Sequence, residues 1–140
     1  MFSDKYGRTP LHYAALNCHE YCIEPLLELP GSSEILKIKD KNGYSVFHAA
    51  AISGASGIIS MLSAHLDQEG GETTINQCLL DGDKNGRTPL QLACQFNNVD
   101  MASHLLSLCP EAINKHDIYG LTPLSHAAAN GNSQVKISQI

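Results

Sequence analysis

Four copies of one short phrase recur along this 140-residue chain, and a recurrence of that period constrains a fold more tightly than composition does. The copies open on Asp4-Lys5-Tyr6-Gly7, Asp40-Lys41-Asn42-Gly43, Asp83-Lys84-Asn85-Gly86 and Asp117-Ile118-Tyr119-Gly120. Their aspartates are separated by 36, 43 and 34 residues. Each tetrad reads as a turn, with the aspartate bonding its own backbone and the glycine at positive φ. A helix start follows one residue later: Thr9-Pro10-Leu11-His12, Ser45-Val46-Phe47-His48, Thr88-Pro89-Leu90-Gln91 and Thr122-Pro123-Leu124-Ser125. Thr or Ser is a good cap, and proline suits the first helical position because no backbone donor is wanted there.

Small pairs follow at one offset, Ala14-Ala15, Ala50-Ala51, Ala93-Cys94 and Ala127-Ala128, and let helices approach closely. After a short break, Ile23/Leu26/Leu27, Ile58/Ile59/Leu62 and Met101/Leu105/Leu106 fall three and four apart, which predicts a second amphipathic helix. These units resemble ankyrin repeats, and GRTPLHYAA (7–15) and GRTPLQLAC (86–94) are similar to that family's signature. The resemblance covers essentially the whole chain. It implies an all-α-dominated solenoid, in which a β-turn finger and two antiparallel helices form each repeat and repeats stack side by side. One domain, 1–140, would hold repeats at about 4–39, 40–82, 83–116 and 117–140, the last one cut short. Apolar Val135 and Ile137 near the end suggest a piece of a longer array, since terminal repeats normally carry polar outer faces.

Departures from the family pattern carry expectations of their own. Val46 and Phe47 replace proline and leucine, which predicts a less rigid helix start in the second repeat. Gln91 and Ser125 replace a histidine and are expected to remove an imidazole hydrogen bond, whereas His12 and His48 should tether neighbouring repeats through both ring nitrogens. The largest insertion, 64–80, contains Asp67-Gln68-Glu69-Gly70-Gly71-Glu72 and reads as an exposed acidic loop.

Composition limits the chemistry. The chain is 43% hydrophobic with a formal net charge of -5, and its apolar runs are too short to span a membrane. An acidic balance argues against nucleic acid and anionic membranes, and this segment is expected to be a monomer without direct membrane contact. Five scattered cysteines, with no Asn-x-Ser/Thr acceptor and no signal-like start, point to a reducing cytoplasmic or nuclear compartment. Cys18-His19-Glu20-Tyr21-Cys22 offers the best local metal motif, but no second Cys/His pair lies at zinc spacing; Cys22 is expected on a packing side. No nucleophile elbow, phosphate loop or metalloprotease helix is present, so neither a catalytic residue, a metal nor a cofactor is expected. Leu106, Ile113 and Asn114 resemble the spacing at which ankyrin asparagines are hydroxylated, although Ala112 stands where an acidic residue is usual. Asn114 bonding within its own hairpin is the simpler reading.

What remains is surface. The family rule places finger tips and the outward side of each first helix along one concave groove. Carried over, it selects the tips Lys5, Tyr6, Arg8, Lys41, Asn42, Tyr44, Lys84, Asn85, Arg87, Ile118, Tyr119 and Leu121. On the first helices it selects Tyr13, Leu16, Asn17, Ile52, Ser53, Leu92, Gln95, Phe96, His126 and Asn130. The strongest partner-binding candidates are Lys5, Tyr6, Arg8, Tyr13, Lys41, Tyr44, Ile52, Arg87, Gln95, Phe96 and Tyr119. Five of the nine basic residues sit on the tips, which suggests a basic-aromatic stripe facing an acidic or mixed protein segment. A non-catalytic interaction module is the expected function; a channel's cytoplasmic array and a mechanical spacer are the other readings.

Overall fold

The computed structural model describes residues 5–30, 32–69 and 75–129. Among them, α1 (Pro10–Leu16), α2 (Glu20–Leu27), α3 (Ser32–Ile35), α4 (Val46–Ser53), α5 (Ser56–Glu69), α6 (Ile75–Leu80), α7 (Pro89–Gln95), α8 (Val99–Leu108) and α9 (Pro123–Ala129) follow in order. A 3-10 turn, Pro110–Asn114, separates α8 from α9. Helices α1, α4, α7 and α9 each pack on the next as one row, while α2, α5 and α8 form a second row behind them. This is the stacked helix-pair solenoid that the repeat implied.

The first row starts as the sequence dictates. Thr9, Ser45 and Thr88 each accept the backbone N–H three residues on, and His12, His48 and Gln91 reach back to complete a capping box. Such a cap stabilises a helix by roughly 1 kcal/mol. Val46 does not loosen the second start: its box is built like the others, and Val46 itself is buried.

The third box overturns a second expectation. His12 Nε2 lies 2.8 Å from the Tyr44 carbonyl, and His48 Nε2 lies 2.8 Å from the Arg87 carbonyl. Gln91 does not forfeit this tether. Its Nε2 donates to Leu121 O at 2.7 Å and Lys115 O at 3.2 Å, while its Oε1 accepts from Thr88 N–H. An amide supplies the same donor-acceptor pair as a neutral imidazole at nearly the same reach. Ser125 is too short to do this and pairs with the Thr122 hydroxyl at 3.1 Å. Burial pushes the His48 imidazole below the usual histidine range, against the opposing pull of its bond to Arg87 and of Asp83. A neutral ring then donates from Nε2 and accepts at Nδ1 from the Ser45 N–H and hydroxyl.

Fingers are held by their aspartates. Asp40, Asp83 and Asp117 each accept two backbone N–H bonds of 2.9 Å through one carboxylate oxygen. Successive fingers are joined backbone to backbone: Lys41 N–H to Tyr6 O at 2.9 Å, Lys84 N–H to Asn42 O at 3.1 Å, Ile118 N–H to Asn85 O at 2.9 Å. That contact needs glycine at the turn's fourth position. Gly43 has φ +79°, and a Cβ there would lie 2.5 Å from the Lys84 nitrogen. At Gly120, φ is +78° and nothing lies within 4 Å.

The core lies between the two rows. Ile23, Ile58, Ile59, Leu62, Met101 and Leu105 are buried against Ala14, Ala15, Ala50, Ala51, Ala93 and Cys94. Each large side chain so buried contributes roughly 1.5–3 kcal/mol. Phe47 is the largest of the fully buried side chains and fills the place of the family leucine. Cys18, Gly54 and Asn97 turn the chain at positive φ between first and second helices. Bonds cross the stack there, among them Ser53 Oγ to Ala15 O at 2.7 Å and Asn98 Nδ2 to Ala51 O at 2.8 Å and Ile52 O at 3.0 Å.

Three further expectations fail. The 64–80 insertion is not a loop in its described part: α5 runs on to Glu69 and α6 covers Ile75–Leu80, with Leu66 and Leu79 buried. The apolar rhythm of Ile58, Ile59 and Leu62 continues to Leu66, so the helix continues with it. Cys22 is exposed rather than on the packing side of α2. Leu92, placed on the outward side of the first-helix row, is fully buried in the core. Val135, Ile137 and Asn130 lie outside the described residues, as do Asp4, Gly70 and Gly71.

Candidate protein-binding surface

Two direct contacts show that finger tips and first helices share one surface. Arg87, on the third finger, donates through Nη1 to Gln95 Oε1 of α7 at 2.9 Å. Arg8, on the first finger, stands 5.7 Å from the ring centroid of Tyr13 on α1 and 5.5 Å from that of Tyr6. Lys5 lies 5.1 Å from the same Tyr6 ring, so the first finger carries a cation–aromatic cluster.

The candidate residues separate by exposure. Tyr6, Tyr13, Phe96 and Tyr119 are exposed, and Tyr119 is 71% so. Lys5 and Lys41 are exposed as well. Ile52 is half-buried against the core, and Gln95 is half-buried under Arg87. Arg87 and Tyr44, expected among the exposed anchors, are committed within the chain. Arg87 Nε meets Asp83 Oδ2 at 3.0 Å, and its Nη2 meets the Tyr44 hydroxyl at 3.4 Å. The Tyr44 ring also stacks on His48, with centroids 6.0 Å apart. A guanidinium with three fixed partners is a brace, and Lys41 and Lys84 are tip cations that make no ion pair among the described residues.

Exposed apolar groups concentrate at the fourth finger. Ile118, Tyr119 and Leu121 are all exposed there, although only Tyr119 stands among the strongest candidates from sequence. Below them, His126 Nε2 lies 3.2 Å from Asp117 Oδ2. Burial alone would raise the Asp117 carboxyl; N–H bonds from Leu121 and Tyr119, with His126 beside it, hold it below the usual carboxylate range.

Charge divides between faces. Finger aspartates Asp40, Asp83 and Asp117 are buried and turned to backbone, leaving the tips positive. Exposed carboxylates gather on the second row instead, where Glu20, Glu24 and Glu28 line a groove with Pro25, Met61 and Tyr21. Sequence reasoning missed Tyr21, the most exposed aromatic of the chain's described part at 97%. Its signal was available, because Ile23 and Leu27 define the buried side of α2 and leave residue 21 off it. Ser53 and Asn98 were also missed as stack-crossing groups, since no local motif marks them.

The thiols do not change this picture. Burial pushes Cys78, Cys94 and Cys109 up to about 11, so they stay protonated at neutral pH and ligate or attack poorly. Asn114 ends the 3-10 turn as an exposed residue.

A stack of helix pairs joined by hydrogen-bonded fingers defines a repeat solenoid. The family profile "Ankyrin repeats (3 copies)" matches residues 29–108 and 69–137, and "Ankyrin repeat" matches 6–41. The chain belongs to the ankyrin-repeat family. It is similar to the nuclear factor NF-kappa-B p105 subunit of Mus musculus, 30% identical over 94% of this chain and 13% of that protein. Alpha-latrotoxin-Lhe1a of Latrodectus hesperus is 34% identical over 89% of this chain and 8% of its own length. The NF-kappa-B inhibitor cactus of Drosophila melanogaster is 26% identical over 95% of this chain and 30% of its own length. The chain thus spans under a third of each of these relatives. Repeats of this family mediate protein–protein interaction.

Proposed function

We propose that this chain is a non-catalytic module of the cell interior that captures a partner protein in the groove between its finger tips and first helices. One observation carries the reading. Tyr6, Tyr13, Phe96 and Tyr119 are exposed on that surface, and neither the turns nor the core requires an aromatic there. Large rigid side chains beside lysines are the groups that anchor protein interfaces. The resemblance to a protein named an inhibitor of NF-kappa-B supports a role exercised by holding another protein. The module acts as a monomer, with no cofactor, metal or nucleic acid, and works in a cytoplasmic or nuclear setting.

A lysate pull-down with the chain, beside a Tyr6→Ala/Phe96→Ala/Tyr119→Ala variant of unchanged helical spectrum, tests this. Proteins retained by the parent and lost by the variant are the expected result. Identical captures overturn the groove reading and move binding to the acidic α2–α5 face or leave a spacer.

A further inference from the structure

The fingers narrow the chemistry of the partner. At the second position of the four tetrads stand Lys5, Lys41, Lys84 and Ile118. Three of these residues donate the backbone bond that joins their finger to the one before: Lys41 to Tyr6, Lys84 to Asn42, Ile118 to Asn85. Equivalent main-chain atoms therefore recur from finger to finger, which sets the residues at this position in one row. Lys41 and Lys84 are exposed and make no ion pair among the described residues. Lys5 Nζ lies 5.1 Å from the centre of the Tyr6 ring, and the residue is exposed. Arg87 is held by Asp83, Gln95 and Tyr44, and Arg8 by Asp40 and two tyrosine rings, so the exposed charges of the row are lysine ammoniums. Beyond the third lysine the row turns apolar at Ile118, with Tyr119 and Leu121 beside it.

Packed helices stand roughly 8–10 Å apart, which sets the step from one lysine to the next. An extended polyproline-II chain advances about 3.1 Å per residue with three residues per turn, so side chains three apart point the same way about one step from each other. Resting on the groove reading, we infer that the finger row takes an extended acidic segment of a partner protein. Its carboxylates stand three residues apart, at i, i+3 and i+6, and an apolar residue three positions beyond them meets Ile118 and Tyr119. Lysine rather than arginine suits this role, because a point charge on a flexible stem tolerates small differences in carboxylate placement. A helix rising 1.5 Å per residue would need its carboxylates about seven apart, which makes it a discriminating probe.

Fluorescence anisotropy on the full chain at low salt tests the inference. The probes are labelled ten-residue peptides with Glu at positions 1, 4 and 7 and Leu at 10, made in both chain directions, with Ser and Gly between. A control of identical composition carries its three Glu side by side. The better-oriented spaced peptide is expected to bind about tenfold more tightly than the control. Lys41→Glu/Lys84→Glu, on exposed positions, should abolish that preference with the helical spectrum intact, and Ile118→Ser should weaken the spaced peptide but not its counterpart with Ser in place of Leu. Equal binding of spaced and clustered peptides, or none by either, overturns the row. So does equal or tighter binding of a helical peptide with Glu seven apart, or of a ten-nucleotide oligothymidylate. The groove reading is judged separately: lysate partners lost by the aromatic triple variant would keep it standing when these peptides fail.

Discussion

Residues 7–15 and 86–94 share Gly-Arg-Thr-Pro-Leu, yet their arginines end in different places. Arg87 is braced by Asp83, Gln95 and Tyr44. Arg8 has Leu16 where the third repeat has Gln95, and lies 3.5 Å from Asp40 Oδ2, over the rings of Tyr6 and Tyr13. The positions that differ explain the outcome: a glutamine side-chain oxygen draws a guanidinium inward, while two tyrosine faces hold it at the rim. Identical local sequence thus yields one arginine braced by three polar partners and one packed between a buried carboxylate and two aromatic rings.

The widest contrast is expected between an interior finger and the last described one. Gly43→Ala places a Cβ 2.5 Å from the Lys84 nitrogen on a left-handed backbone. Strain of roughly 1–2 kcal/mol and overpacking of roughly 1–3 kcal/mol predict a loss near 3 kcal/mol in urea unfolding. Gly120→Ala meets nothing within 4 Å and should lose only the strain. Equal losses would break the account of finger stacking.

Next come the arginines themselves. Arg87→Ala removes three bonds, one of them to a buried carboxylate, and should destabilise by about 2 kcal/mol in the same assay. Arg8→Ala, at a partly exposed and longer ion pair, should cost less than about 1 kcal/mol. The reverse order would show that the first finger, not the third, is the braced one.

The smallest effect compares histidine with glutamine as the tether. The folded His48 pKa is depressed, so below the unfolded value of about 6.5 the unfolded chain takes a proton that the buried ring refuses. Stability from this residue is whole above that pH and falls as pH drops, by up to about 1 kcal/mol at pH 5.5. His48→Gln, copying Gln91, should keep the Arg87 tether and remove that part of the pH slope in melts run from pH 7.5 to 5.5. An unchanged slope would assign it to other histidines.

The fold was legible because its signals are local and repeated. Asp-x-x-Gly turns, Thr and Ser caps and helix-spaced apolar residues each report on a few neighbours, and each recurs in register. Errors arose where a residue's role depends on the next repeat. Gln91 read as a lost tether because its acceptors, Lys115 and Leu121, lie 24 and 30 residues away. Leu92 aligns with exposed Tyr13, yet it is buried. The Arg87–Tyr44 pair joins residues 43 apart, and no motif announces it. The 64–80 segment misled because its acidic residues and glycine pair outweighed the apolar rhythm running through Leu66. Of the candidate surface, the exposed tip lysines and aromatics could be read from position alone, whereas Arg87 and Tyr44 could not.

One set of bonds between neighbouring fingers runs through main-chain atoms alone, from Lys41, Lys84 and Ile118 to the carbonyls of Tyr6, Asn42 and Asn85. The donor side chains are spectators to their own joint. Substitution at these three positions can therefore change the side chains along this edge, letter by letter, while the main-chain joint beneath keeps its spacing. Folding and surface chemistry are thus written in different atoms of the same residue.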